Sequence, residues 1–175
     1  MVTIRTETAD DYRQVAEVIT AAFQSDEFSG HEETQLVEKL RKSAAFVPEL
    51  SLVAVADHQI VGHILLTRAF ITHGEQTFPS LSLAPVSVLP EFQRQGIGSQ
   101  LIKEAHQRAK DLGFTSVIVL GHEEYYPRFG YKPTSQYAIE LPFGAPPENC
   151  MIVALTNNGL DGVSGKVEYP KEFFS

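Results

Sequence analysis

The sequence predicts a mixed α/β domain of the α+β type, with six or seven strands and about four helices. Three observations carry this. Strand-type runs and amphipathic stripes follow one another in the order β-α-α-β-β-β-α-β-α-β-β. Two long β-rich runs flank the polar turn Asp57-His58-Gln59, as in a hairpin. In the middle of the chain a strand, a helix and a strand follow in succession, as in a crossover. At 175 residues the chain is long enough to bury one sizeable core, so a single domain is expected.

Residues 2–5 read as a first strand. Thr8 is a favourable helix N-cap, and Asp10 and Asp11 suit the positive end of the helix that follows. Tyr12, Val15, Ile19 and Ala22, with Ala16 and Phe23, form one apolar stripe, so this helix runs to about Phe23. After the polar stretch "QSDEFSG" a second helix spans about 32–43, carried by Leu36, Val37 and Leu40. The hairpin comes next, and "LSLAPVSVLP" is the fourth strand. Pro85 sits inside it and cannot donate to a ladder, so pairing should bulge or fail there. A third helix spans about 98–112, with Leu101, Ile102, Ala105, Ala109 and Leu112 facing inward and Gly113 ending it. "TSVIVLG" reads as a buried strand, "EEYYPRF" as a short helix stopped by Gly130, and "YAIELPF" and "CMIVAL" as two further strands. The expected organisation is a domain over residues 1–155 and a turn-rich tail, 156–175, lying on it.

Bulk properties narrow the function. Acidic residues outnumber basic ones by 22 to 14, a formal charge of −8, which argues against a nucleic-acid coat or an anionic membrane surface as partner. Cys150 is the only cysteine, so neither an intrachain disulfide nor a multi-cysteine metal site is expected. His63 and Arg68 interrupt the longest apolar stretch, and the N-terminus lacks a signal-type apolar core. A soluble cytoplasmic protein without a metal is the expectation.

The most informative stretch is the strand-to-helix loop Gln93-Arg94-Gln95-Gly96-Ile97-Gly98-Ser99. The first amides of a helix lack internal partners, and the helix end carries roughly +0.5 of a charge. Glycines let an anion approach those amides with no Cβ in the way, and Arg94 adds charge at the rim. A tight turn would use the same glycines. A dinucleotide fingerprint fails because Leu101 stands at the third glycine position and no acidic ribose partner follows. A nucleoside-triphosphate loop fails because Gly-Lys-Ser/Thr is absent.

The pattern Q-x-x-G-x-G after "VSVLP", met by Gln93, Gly96 and Gly98, resembles the signature of the GNAT superfamily of acetyl-CoA-dependent N-acetyltransferases. The resemblance continues through "LAPVSVLPEFQRQGIGSQLI", "TSVIVLG" and "YYPRFGY", where Tyr126 and Gly130 match a Y-x-x-x-G-F/Y element. With the element order it covers about residues 2–155. It implies a mostly antiparallel sheet splayed at the fourth strand. It also implies acetyl-CoA as cofactor, with coenzyme A as product. Val86, Ser87 and Val88 would pair with the pantetheine arm, and Gln93, Arg94, Gln95, Gly96, Ile97, Gly98 and Ser99 would hold the pyrophosphate. Tyr126 would stand near the thioester sulfur, in both a cofactor-binding and a catalytic role.

The chemistry sets further demands. A lysine-type amine with a pKa near 10.4 is neutral in about one molecule per few thousand at pH 7, so a base is needed for such an acceptor. A departing thiolate gains from a proton donor, for which a tyrosine suits; Tyr125 competes with Tyr126, and the spacing to Gly130 favours Tyr126. A strand amide near Val88 would serve the oxyanion. Glu91, His63, His122, Glu123, Glu124, Glu27 and Glu32 are candidates for the base, and none is assigned. Cys150 reads as a small core residue. Loops 25–33, 73–80 and 143–149 are expected to shape the acceptor pocket, and Asp26-Glu27 point to a cationic amine of a small molecule or protein. The alternative reading is a non-catalytic acyl-CoA-binding sensor or scaffold, and the acyl group is left open. The final strand and tail leave a homodimer possible.

Overall fold

The structure, a computed structural model, describes residues 1–26, 29 and 31–175. Strands β1 (Val2–Thr6), β2 (Phe46–Ala56), β3 (Gln59–His73) and β4 (Gln76–Val88) form an antiparallel array in sequence order. Between β1 and β2 lie helices α1 (Tyr12–Phe23) and α2 (Glu33–Arg41). The β2–β3 turn is formed by Asp57 and His58, at φ 48° and 65°, the twist that joins two antiparallel strands most tightly.

Helix α3 (Ile97–Asp111) crosses from β4 to β5 (Ser116–Leu120), which lies parallel to it. Further strands are β6 (Lys132–Pro133), β7 (Ile139–Glu140), β8 (Cys150–Ala154) and β9 (Gly165–Glu168). The sheet is therefore larger than the six or seven strands expected: nine, in the path β1-β2-β3-β4-β5-β8-β6 with β9 joining β3 to β7. Two of the nine are two residues long. The tail supplies β9, which pairs antiparallel with β3 and parallel with β7, so it is not merely turn-rich. The expected fourth helix is a single 3-10 turn, Tyr126–Phe129, ended by Gly130 at φ +94°.

The sheet carries helices on both faces. Leu52, Ile64, Leu66 and Leu81 pack with Leu101, Ile102, Ala105 and Ala109 of α3. Val53, Ile60 and Leu65 pack with Val15, Val18 and Ile19 of α1 and with Val37 and Leu40 of α2. Gly62 permits the close seat of α3, since a Cβ there would lie 3.0 Å from Leu101 Cδ1. Two residues leave their expected stripe. Tyr12 is exposed at the first turn of α1, its ring under the Arg41 guanidinium at 3.9 Å. Leu112 is exposed because it is the C-cap. There Phe114 N–H donates to the Ala109 carbonyl and Gly113 N–H to that of Lys110, closing α3 in a Schellman motif.

The feature that prepares a site is an opening in the sheet. On its β3 side, β4 shifts register between Ile64↔Val86 and Leu66↔Leu83, placing an extra residue at Ala84-Pro85. On the other side, β4 and β5 meet only at Ser82↔Ile118. Beyond Ser82 the two strands diverge. This is the splay expected at the fourth strand, and its local cause is the bulge around Pro85, a residue with no N–H for the ladder.

Candidate functional site

Beyond β4 the chain makes a 3-10 turn over Pro90–Phe92 and enters α3 through Gly96, which sits at φ +82° as the N-cap. Arg94 is also left-handed, at φ 64°. The first helical turn closes at Gln100 N–H to the Gly96 carbonyl, so the amides of Ile97, Gly98 and Ser99 have no intrahelical acceptor. Two amide side chains brace this loop: Gln93 Nε2 donates to the Val88 carbonyl at 3.0 Å and Gln95 Nε2 to that of Glu91 at 3.4 Å. The two glycines act differently. Gly96 has nothing within 4 Å of an added Cβ and is needed for its positive φ; a Cβ on Gly98 would stand 2.8 Å from the Tyr125 hydroxyl.

This loop is one end of a cleft of about 1070 Å³ that runs through the splay. Leu83, Ala84, Pro85, Val86 and Val88 form the β4 wall. Leu120, Gly121, His122, Tyr125, Tyr126 and Arg128 form the opposite wall. Of the loop residues, Gln93, Arg94, Gly96, Ile97, Gly98 and Ser99 border the cleft. Ser87 and Gln95 do not: Ser87 lies opposite His63 on β3 with its side chain buried, and Gln95 is turned to Glu91. Only a main-chain role is left to Ser87.

Tyr126 is buried against the end of β5, and Gly121 makes the room, since a Cβ there would lie 2.5 Å from the ring. Its ring meets Tyr125 edge-on at 5.1 Å and Tyr131 at 5.6 Å. Tyr131 in turn pairs with His106 Nε2 of α3 at 2.8 Å. Burial first, then the neighbouring Tyr125, raises the Tyr126 pKa well above 10, so the phenol keeps its proton at neutral pH. Burial also pushes His106 down to about 4, leaving it neutral. Tyr125 is half-buried, and its hydroxyl faces the first turn of α3, 2.8 Å from where a Gly98 Cβ would stand.

The end of the cleft away from the loop has a different character. Phe23, Asp26, Ser29 and Glu33 come from the α1–α2 region, and Ser29 Oγ donates to the Glu33 carboxylate. Ala145, Pro146 and Asn149 close it from the segment before β8. Segment 73–80, expected to shape the acceptor pocket, is instead the β3–β4 hairpin and contributes nothing to the cleft wall.

Of the candidates for the base, only His122 borders the cleft among the described residues; Glu27 lies outside them. Glu91, Glu123, Glu124 and Glu32 are not part of the wall. His63 belongs to a buried network on the α1–α2 face. Arg41 holds Glu7 at 2.6 Å, Ser51 Oγ donates to Glu7 at 2.8 Å, and His63 Nε2 lies 3.3 Å from Ser51 Oγ. Burial and then Arg41 lower its pKa to about 3, so it is a neutral structural histidine. Cys150 is a buried thiol 3.6 Å from the Pro146 carbonyl. Among the described residues no cluster of His, Cys, Asp and Glu is arranged to hold a metal, and no helix is long and apolar enough to cross a membrane.

Sequence reasoning placed Glu33 in an acceptor loop but missed Phe23, Gly121 and Arg128 as cleft residues. For Gly121 a signal existed, a glycine ending a buried strand. For the others the local pattern is silent, because their place depends on how α1, α2 and the 3-10 turn dock on the sheet.

Comparison with known proteins places this geometry. Residues 3–134 match the family model of the acetyltransferase (GNAT) domain. The chain is 38% identical over 141 residues to the uncharacterized N-acetyltransferase YjhQ of Escherichia coli (strain K12), covering 79% of this chain and 75% of that protein. It is 27% identical to the uncharacterized N-acetyltransferase YhbS of the same organism over 97% of both. The crystal structure of YhbS in complex with CoA superposes with a TM-score of 0.86 at 24% identity, over 99% of this chain and 92% of the other. A GNAT family acetyltransferase from Brucella melitensis in complex with acetyl-CoA gives a TM-score of 0.80 at 31% identity, over 99% and 98%. On the family match and the identity to YjhQ, this chain belongs to the GNAT acetyltransferase family.

Proposed function

We propose that the protein is an acetyltransferase that moves an acetyl group from acetyl-CoA to a primary amine by direct attack in a ternary complex. One observation carries the reading. A single cleft has free helix amides and Arg94 at one end, a buried protonated tyrosine along its wall, and carboxylates Asp26 and Glu33 at the other end. An anion is favoured at the first end and a cation at the second.

The fit can be judged from the chain alone. Gly98 has no Cβ to cover the amides, and the β4 edge is unpaired by β5 beyond Ser82, so an extended polar arm has both a cradle and a strand to lie along. The residues that would hold coenzyme A are 96–99 at the diphosphate and the main chain of 86–88 along the arm. When bound, acetyl-CoA supplies the activated acyl group.

Each residue then has a task. Tyr126 holds its proton and would pass it to the departing sulfur, regaining one from the nitrogen as the amide forms; such a positioned acid contributes about 10²–10⁴ in rate. A main-chain amide near Val88 donates to the oxygen that gains charge. The carboxylates of Asp26 and Glu33 attract an ammonium and hold the amine at the open end of the cleft; His122 is the group on the wall able to take its proton. The acidic balance and the lone buried cysteine suit a cytoplasmic enzyme acting on a small cationic amine or a protein amine.

The test is thiol release with acetyl-CoA over a panel of primary amines, including diamines and amino-terminal peptides. Turnover that falls in Tyr126→Phe while cofactor affinity persists supports the reading. Saturable cofactor binding with no turnover on any amine, in a well-folded protein, would instead make it a non-catalytic acyl-CoA-binding module.

A further inference from the structure

The seven arginines are not equally committed. Arg5, Arg13, Arg41 and Arg108 each face a carboxylate, and Arg68 donates to the carbonyls of Ala44 and Phe46. Among the described residues the remaining two, Arg94 and Arg128, face no carboxylate, although the chain carries a formal charge of −8. Both border the cleft. Leaving two cations unpaired on one cleft of an acidic protein favours an anionic occupant.

Arg128 is also positioned. Tyr125 and Arg128 are three residues apart on a 3-10 turn, where side chains at that spacing lie above one another. The guanidinium accordingly sits over the Tyr125 ring at 5.1 Å. The ring is held in its turn: it lies edge-on to Phe129 at 5.4 Å and to Tyr126 at 5.1 Å. Its hydroxyl stands 2.8 Å from where a Gly98 Cβ would be. The tyrosine therefore spans the gap between the 3-10 turn and the first turn of α3, and it carries the arginine with it.

We propose that Tyr125 and Arg128 form a second, side-chain bank of the cofactor's diphosphate site, facing the main-chain bank of residues 96–99. The inference rests on the acetyl-CoA reading above and assigns to the site a cation outside the loop motif. Its ligand is a diphosphate diester, gripped between amides on one side and a guanidinium held over an aromatic ring on the other. A guanidinium can take two phosphate oxygens at once, and stacking on an aromatic ring limits the freedom lost on binding. The 3′-phosphate is the competing source of the same chemistry, and Tyr125 decides between them, because its hydroxyl reaches Gly98, in the turn whose amides are free.

Titration calorimetry of the full-length protein with coenzyme A and with 3′-dephospho-coenzyme A tests this, using wild type, Arg128→Ala and Arg128→Lys. The expected result is a weakening of about 10- to 100-fold in Arg128→Ala, equal for the two ligands, with partial recovery in Arg128→Lys and a smaller effect at high salt. Arg128 is exposed, so thermal melting of both variants should match wild type. Unchanged affinity in both variants overturns the proposal, as does a loss confined to coenzyme A, which would move Arg128 to the 3′-phosphate. A wild-type protein that binds neither ligand overturns the acetyl-CoA reading itself.

Discussion

Replacing Gly98 by valine tests the cradle at its narrowest point. An added Cβ would stand 2.8 Å from the Tyr125 hydroxyl and 3.8 Å from Val88 Cγ2. The first contact is well inside van der Waals distance. The contact is with the hydroxyl tip of a half-buried side chain, which can give way at a local cost to Tyr125 while the fold survives. What is lost is access. The branched side chain stands between the ligand and the amides of Ile97, Gly98 and Ser99, which have no other acceptor in the helix. One hydrogen bond to a charged group is worth about 1.5–3 kcal/mol, which converts to a roughly 10- to 150-fold weaker Kd for coenzyme A. Gly96→Ala is the companion. Nothing lies within 4 Å of its added Cβ, but φ is +82°, so it should cost about 1–2 kcal/mol of stability and leave the amides open. Calorimetry and thermal melts on both variants separate space from backbone strain. If Gly98→Val bound coenzyme A as wild type does, the loop would drop out of the site.

Four other outcomes are expected. Tyr126→Phe should lower kcat by about 10²–10⁴ while leaving Kd for acetyl-CoA unchanged, read by thiol release and calorimetry on the same preparation. Gly121→Ala should lower kcat as well, because a Cβ 2.5 Å from the Tyr126 ring forces that ring out of place; a variant with wild-type turnover would show that the ring's position is immaterial. Folding stability should rise with pH between about 3 and 6.5. His63 and His106 have folded pKa values lowered to about 3 and about 4, so the unfolded chain binds more protons in that range; the stabilisation is complete above 6.5 and is lost as pH falls through the folded values. Urea melts across that range should show a shallower slope in His106→Gln. Asp11→Ala should cost about 2 kcal/mol, since the carboxylate takes two bonds from Arg5, at 2.7 and 2.9 Å, and one from Thr8 N–H at 2.7 Å. Its pKa, held down to about 2 chiefly by the Arg5 hydrogen bonds, means that this contribution is present above pH 3.8 and fades towards pH 2.

The sequence by itself determined the parts whose physics is local. A glycine pair at a helix mouth, a proline inside a strand, an apolar stripe at helical spacing and a C′ glycine at Gly113 each constrain their own few residues. The structure has α2 and α3 within a residue or two of where those signals put them, and α1 ends at Phe23 as expected but begins at Tyr12, after a 3-10 turn over Ala9–Asp11 that Thr8 caps. Tertiary structure decided what depends on distant chain meeting. Periodicity could not show that Tyr12 would leave its stripe to lie under Arg41, because that requires α2 to end beside the start of α1. It could not tell a loop at 73–80 from a hairpin that extends β3 and β4, since turn residues are common to both. Nor could it show β9, a four-residue strand that exists only because β3 and β7 offer it free edges. The site divides in the same way. The loop was legible because consecutive residues build it. The approach of Tyr125 to Gly98, the room that Gly121 leaves for Tyr126, and the meeting of Asp26, Glu33, Arg94 and Arg128 around one cleft arise only where β4 and β5 part, and strand pairing is a property of two segments rather than one.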